Sequence, residues 1–480
     1  SGRKAQLPFA KLLRSLLQAQ RGCFAKGFRG TKQIRADNMK RLFTLAFIAT
    51  AFLLHTSCGG CSESDRQSSE SDSAAIAALE AQRIKEEENR IWSQQLHERL
   101  QAIEEKAQNA NFTTALCVYD LTDDSLFSAF NEQKTMIPAS THKILTSIAA
   151  LHFLGKDYKL RTQAFCHGNI QQGVLNGDIC VVGCFDPAFS YPDLQRLAKA
   201  VKNLGIQKIS GSIIGDISMK DSLRLGYGWS WDDVPSPVTP CLTPLFLNHQ
   251  RPIDGRMNMM MDADEYFLKL LQRELKAIGV ESKEKAIKLA SSPSDARQNK
   301  AFFTATHSVK DILPTLLKES DNLYAEALLY HLAATQRPIR ATAKDGIQLL
   351  WNLLDKAGIE KQRLRIVDGC GMSLYNGFTA QAQVDLLRFA YQNKETIFDA
   401  LYSSLPIAGE SGTITERMKE GTARGNVHAK TGTHTNVSCL TGYATASNGH
   451  LLAFSILCNG TTSRYTCRLF QDEICQELTK

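Results

Sequence analysis

The 480-residue chain has no apolar run of bilayer-spanning length, so no transmembrane helix is expected. No internal repeat is evident, which sets aside solenoid and propeller arrays. The histidines show no metal-ligand spacing. Cys180 and Cys184 have no matching pair, so no metal and no cofactor are expected. The thirteen cysteines outline no disulfide framework. Cys117, Cys439 and Cys458 lie in strand-like apolar runs, where a free Cys acts as a small hydrophobe. Basic charge is also missing where nucleic acid would need it. The net charge is +7, but residues 1–57 carry eleven Lys/Arg against Asp37, a local +10, and the rest of the chain sums to −3.

What is present is an ordinary globular composition, 43% hydrophobic and 22% charged, in a chain long enough for two or three domains. Met39-Lys40-Arg41 reads as a positive n-region and Leu42 to Leu54 as the apolar core of a signal peptide over 39–57. Residues 1–38 precede that start and are expected to be a non-native upstream segment. Beyond it, His55-Thr56-Ser57-Cys58-Gly59-Gly60-Cys61 is similar to a lipoprotein processing site, although His55 stands where an apolar residue is usual. Cys58 is assigned as the lipidated residue, with Cys61 or simple secretion as the alternatives. This predicts export to the cell envelope or periplasm and a membrane partner through a lipid anchor.

Residues 58–110 are expected to form a tether and a helical stalk. SESDRQSSESDS at 62–73 reads as solvated linker, and the run from Ala74 as helix, with Ile76, Leu79, Ile84 and Ile91 in partial periodicity. TTALCVYD and the segment Leu126 to Phe130 read as a hairpin, and ILTSIAALHFLG as a helix closed by Gly155. A Gly-rich middle follows, with a Trp/Pro-rich loop. Helices near 342–357 and 380–394, strands at 435–445 and 450–458, and a helix near 462–478 complete the chain. The fold class is α/β (α+β), a domain split into 111–163 and 305–480 around an inserted, smaller α/β domain at 164–304.

Ser140-Thr141-His142-Lys143 opens the first of those helices. A serine hydroxyl needs a base, and positions i and i+3 share a helix face, so Lys143 can reach Ser140. Lysine serves as that base only when burial or another cation disfavours its charge. Ser320-Asp321-Asn322 is the second element and Lys430-Thr431-Gly432-Thr433 the third. Each alone is an ordinary capping or turn cluster. Together, in this order, they make the triple found in serine acyl-enzymes of the penicillin-binding and β-lactamase type. His142 is expected to face the groove or solvent, and the Met run 257–261 to be strand or core.

With these motifs the chain resembles the low-molecular-mass class C penicillin-binding proteins, serine D-Ala-D-Ala carboxypeptidases and endopeptidases. The likeness extends to IPASTHK (137–143), GVLNGDICVVGCFDP (173–187), GWSWDD (228–233), KESDNLYAEALL (318–329), DGCGMSLYN (368–376) and LPIAGESGTI (405–414). It implies that the inserted domain fills the gap between the first two motifs. The nested third domain of large members is expected to be absent, because a helix-like segment follows Asn248 almost at once. Ser411 and Cys370 depart from the family's usual Asp and Ser.

The resemblance implies roles. Ser140 is the nucleophile and Lys143 its base. Ser320, helped by Lys430, passes a proton to the leaving amine. Asn322 holds Lys143 and the acyl side's amide. Lys430, Thr431, Gly432 and Thr433 line the site for the terminal carboxylate. Asp233 meets the free amine of a diaminopimelate side chain. The implied partners are peptidoglycan stem peptides and β-lactam antibiotics. A serine β-lactamase and a non-catalytic peptidoglycan-binding lipoprotein are the alternatives, and the oligomeric state is left open.

Overall fold

The computed structural model describes residues 63–108, 110–233, 238–250, 262–293 and 300–480, with side chains from residue 74. The signal segment, Cys58, Cys61 and the Met run 257–261 lie outside these residues. The chain divides into two units, up to Glu88 and from Asn89 onward.

A helix, α1, runs from Glu63 to Gln108. The linker expected at 62–73 is therefore helical from Glu63, because the segment contains no Gly or Pro to stop a helix from continuing into it. Ile76, Leu79 and Ile84 are exposed. Burial begins later, at Leu96, Leu100 and Ile103, which pack on the first sheet. No described helix is long and apolar enough to cross a membrane.

The first sheet has the order β2-β1-β11-β10-β9. Its strands are β1 (Thr113–Asp120), β2 (Ser125–Phe130), β9 (Val427–His434), β10 (Val437–Thr445) and β11 (Leu451–Asn459). Both faces are covered, so its inner strands read as unbroken apolar runs rather than as alternation. On β1, Cys117 points to one core, and Leu116 and Val118 to the opposite one. The core on the Cys117 side is closed by α2 (Lys143–Phe153), α5 (Val309–Lys318), α6 (Asn322–Gln336), α7 (Ala343–Lys356) and α8 (Ala380–Gln392). The other is closed by α1 and α10 (Arg464–Leu478); a short helix, α9, spans Asp399–Ser404. Because β1 pairs with β11 from Thr113↔Asn459 to Asp120↔Leu452, the two ends of the body share one sheet.

A second sheet, β7-β6-β4-β3-β8, is built from the intervening chain, with β5 (Lys208–Ile209) pairing β4. Its strands are β3 (Lys159–Gln171), β4 (Val174–Val182), β6 (Ile213–Asp216), β7 (Ile287–Leu289) and β8 (Phe303–Ser308). The helices α3 (Tyr191–Asn203) and α4 (Ala263–Ala277) bury Leu194, Leu197, Phe267 and Leu271 with it. The sheet closes where β3 meets β8, from Lys159↔Ser308 to Ala164↔Phe303.

Lys430-Thr431-Gly432, read from sequence as a turn before a strand, lies inside a strand of its own. β9 pairs antiparallel with β10, with Thr441↔Lys430, Leu440↔Thr431 and Cys439↔Gly432. The polar HAKTGTH run hides this strand from an apolar pattern, since it forms the sheet's edge.

Candidate active site

Ser140 sits in a turn of 3-10 helix, Ala139–His142, that leads into α2. Ala139 enters it at φ 47, a left-handed conformation costing about 1–2 kcal/mol for a residue with a Cβ. Lys143 opens α2 and is fully buried. Its Nζ lies 2.9 Å from Ser140 Oγ, and it donates to Asn322 Oδ1 at 2.6 Å and to the Cys370 carbonyl at 2.7 Å. As an ammonium it has all three protons engaged. As a neutral amine, tied by two donations, it would turn its lone pair to Ser140. Burial pushes the Lys143 amine below its ordinary range, against the nearby acidic groups of Cys370, Asp368, Asp321 and Glu326.

The second motif joins α5 to α6. Ser320 has φ 61, and Asp321 caps α6 by accepting from the Tyr324 N–H at 3.1 Å. This leaves Asn322 in the first turn, with its amide shared between Lys143 and the Val238 carbonyl, to which Nδ2 donates at 2.7 Å. Lys430 reaches in from β9 and donates to Ser320 Oγ at 2.7 Å and to the Thr431 carbonyl at 2.8 Å. Burial pushes its amine well below the ordinary range, and Lys143 pushes it further. Thr431 donates to Thr413 Oγ1 at 2.7 Å. Gly432 lets β9 run against the serine turn: an added Cβ would stand 2.5 Å from the Pro138 carbonyl oxygen and 3.1 Å from the Thr141 nitrogen. Thr433, opposite Ser438, continues that edge.

The structure thus joins Ser140, Lys143 and Asn322 by hydrogen bonds and sets the Ser320–Lys430 pair beside them, with Thr431, Gly432 and Thr433 along the rim. Asp233 stands apart, half-buried at the end of a short turn, Trp231–Asp233. Its carbonyl accepts from Thr239 Oγ1 at 2.6 Å, which ties its loop to Val238 and so to Asn322. His142 corrects its expectation. It is buried, its Nε2 lies 3.0 Å from the Asp368 carbonyl, and its ring meets Phe378 edge-on. The helix start that exposes Ser140 turns position 142 inward.

Sequence reasoning missed the backbone acceptors, the Cys370 and Val238 carbonyls, and the buried carboxylates Glu326 and Asp368 beneath Lys143. Every peptide offers a carbonyl, so no residue type marks these acceptors. The only available signal was that Glu326 and Asp368 fall inside segments already singled out by resemblance.

The model of the D-Ala-D-Ala carboxypeptidase 3 (S13) family matches residues 93–260 and 253–479. The D-alanyl-D-alanine carboxypeptidase DacB of Haemophilus influenzae is 24% identical over 410 residues, covering 71% of this chain and 84% of that protein. The D-alanyl-D-alanine carboxypeptidase of an Actinomadura species is 26% identical over 442 residues, covering 76% and 81%. In fold, the crystal structure of penicillin binding protein 4 (dacB) from Haemophilus influenzae superposes with a TM-score of 0.69 at 22% identity, over 77% of this chain and 96% of that one.

Proposed function

The chain belongs to the D-Ala-D-Ala carboxypeptidase 3 (S13) family and is a serine-type D-Ala-D-Ala carboxypeptidase, a hydrolase; we propose on that premise that it works through a Ser140 acyl-enzyme on peptidoglycan stem peptides. The observation that carries this reading is the buried Lys143 amine, 2.9 Å from Ser140 Oγ and tied to Asn322. Ser140 attacks the carbonyl of the penultimate D-Ala as Lys143 takes its proton. The backbone N–H groups of Ser140 and Thr433 receive the oxyanion. Ser320, bonded to Lys430, hands a proton to the leaving D-Ala nitrogen, and the acyl-oxygen bond is then broken by water. Lys430, Thr431 and Thr433 take the terminal carboxylate, since fixed charge beside hydroxyl donors suits a carboxylate. β-Lactams acylate the same serine. A β-lactamase and a non-catalytic binder are not favoured by a family match that runs over both halves of the chain.

Digestion of purified muropeptides by the wild-type enzyme, read by mass, tests this reading. Loss of one D-Ala is expected, conversion of dimers to monomers would add endopeptidase action, and unchanged muropeptides would sink the reading. Gly432→Ala is expected to slow penicillin acylation by about 10²-fold, because the new Cβ forces β9 away from the serine turn. Stopped-flow acylation measures it, and an unchanged rate would show that β9 need not approach so closely.

Asp233 is assigned to the free amine of the stem peptide's diamino acid. Asp233→Asn should lower kcat/KM roughly tenfold on an amine-bearing peptide, the worth of a charge-assisted hydrogen bond. It should leave an N-acetylated peptide unaffected; equal losses on both would refute the assignment. The enzyme is an exported, envelope-associated peptidase. Cleavage of the 39–57 signal and lipidation at Cys58 account for that placement, and we extend the reading to residues 164–304 as the inserted domain.

A further inference from the structure

The turn from Asp368 to Ser373 lies against Lys143, with its peptide groups sorted by direction. Its carbonyls face the motif-bearing elements. The Asp368 carbonyl meets His142 Nε2 at 3.0 Å and the Gly369 carbonyl accepts from Thr146 Oγ1 at 2.6 Å. The Cys370 carbonyl accepts from Lys143 at 2.7 Å, and the Gly371 carbonyl meets His434 Nε2 at 2.9 Å. Four of its N–H groups, those of Gly369, Cys370, Gly371 and Ser373, face two carboxylates, each 1% exposed. Glu326 Oε1, from α6, accepts from the Gly369 and Cys370 N–H groups at 2.8 and 2.9 Å. Asp368 accepts from the Gly371 N–H at 2.8 Å and the Ser373 N–H at 2.6 Å, and also from Asn376 Nδ2 and Trp229 Nε1. One peptide unit therefore links Asp368, through the Gly371 N–H and the Cys370 carbonyl, directly to the Lys143 amine. Such chains polarise along their length in a dry interior.

We propose that Glu326 and Asp368 are positioning residues for the reaction: through the 368–373 turn they hold the Cys370 carbonyl on Lys143 and so aim the amine's lone pair at Ser140. This rests on the reading of Lys143 as the base. The two carboxylates also act on the lysine at a distance, favouring its ammonium form against its burial. The other charged or titratable groups facing it are Asp321, His142, Lys430 and the Cys370 thiol. Burial, with Asp368 beside it, pushes Glu326 up to about 7, so its charge is present above neutral pH and fades below.

The test is the rate of acylation by a fluorescent penicillin across pH, for the wild type and two variants whose folding is first checked by melting. Glu326→Gln keeps an acceptor for the two N–H groups and removes the charge. With less support for the ammonium, Lys143 loses its proton at lower pH, and the acid limb should move down by about one pH unit. Asp368→Asn places an N–H donor where two N–H groups converge. It should move the limb the same way and lower the plateau about tenfold. Thr146→Val unties the same turn without touching a charge, so it should lower the plateau and leave the limb in place. An unmoved limb in folded Glu326→Gln overturns the proposal, as does an equal movement in Thr146→Val. If neither carboxylate variant folds, the pair serves the fold and the proposal also falls. A wild-type protein that penicillin does not acylate would instead refute the base reading itself.

Discussion

Ser140→Ala is expected to abolish covalent labelling by penicillin and to slow D-Ala release by at least about 10⁴-fold, the scale seen when a serine nucleophile is removed. The change deletes one hydroxyl from a partly exposed turn. Lys143 keeps its bonds to Asn322 and the Cys370 carbonyl, so the site stays assembled. Stability should change by no more than about 0.5 kcal/mol. The variant should therefore bind substrate without turning it over, because Lys430 and the β9 rim are untouched. Gel fluorescence after labelling, with a melt in parallel, reads both halves. A label that survives would point to Ser320, a second hydroxyl in contact with a buried lysine, at 2.7 Å from Lys430. Peptide mapping of the adduct separates the two serines. Ser140 is favoured because it lies at the N-terminal end of α2, where helix dipoles favour the negative charge that develops on the attacked carbonyl.

The three motifs were legible because their spacing carries geometry. Ser140 and Lys143 fall three residues apart at a helix start, and the order of the triple restricted the chemistry. Apolar strands were legible at both ends of the body, and β1 pairs there with β11. What escaped follows from information that residue types do not carry. Lys143 is held partly by the Cys370 carbonyl, and Asn322 partly by that of Val238. The strand β9 was hidden because an edge strand that lines a polar groove needs no apolar alternation. His142 was misjudged because the residue between an exposed serine and a buried lysine can face either way, and packing on Phe378 turns it inward. The helix from Glu63 shows the opposite error: a polar composition was taken for linker where no residue breaks the helix.

Lys143→Met should lower the acylation rate by about 10³-fold, within the range lost when a general base is removed, and should change how stability depends on pH. The burial that suits Lys143 to its task is also a cost to the fold. Its amine in the folded protein holds a proton less tightly than the ordinary value of 10.5. Between that lowered value and 10.5 the unfolded chain binds the proton and the folded chain does not. Stability then rises with pH across this window, and is lost as pH falls through it, by up to about 1.4 kcal/mol per pH unit for one full proton. Methionine fills similar space without a proton to lose, so the variant escapes this slope. It does leave Asn322 Oδ1 and the Cys370 carbonyl without their donor, a penalty of about 1–3 kcal/mol that is independent of pH. The expected result is thus a difference rather than an absolute value: from pH 10.5 toward neutrality, the melting temperature of Lys143→Met should gain on that of the wild type. Lys430 contributes a slope of the same sign to both proteins, so it cancels in the comparison to the extent that losing Lys143 leaves it undisturbed. Parallel melting curves would mean that the folded site holds the Lys143 proton as tightly as water does. The amine would then remain an ammonium at neutral pH, and Ser140 would need another base.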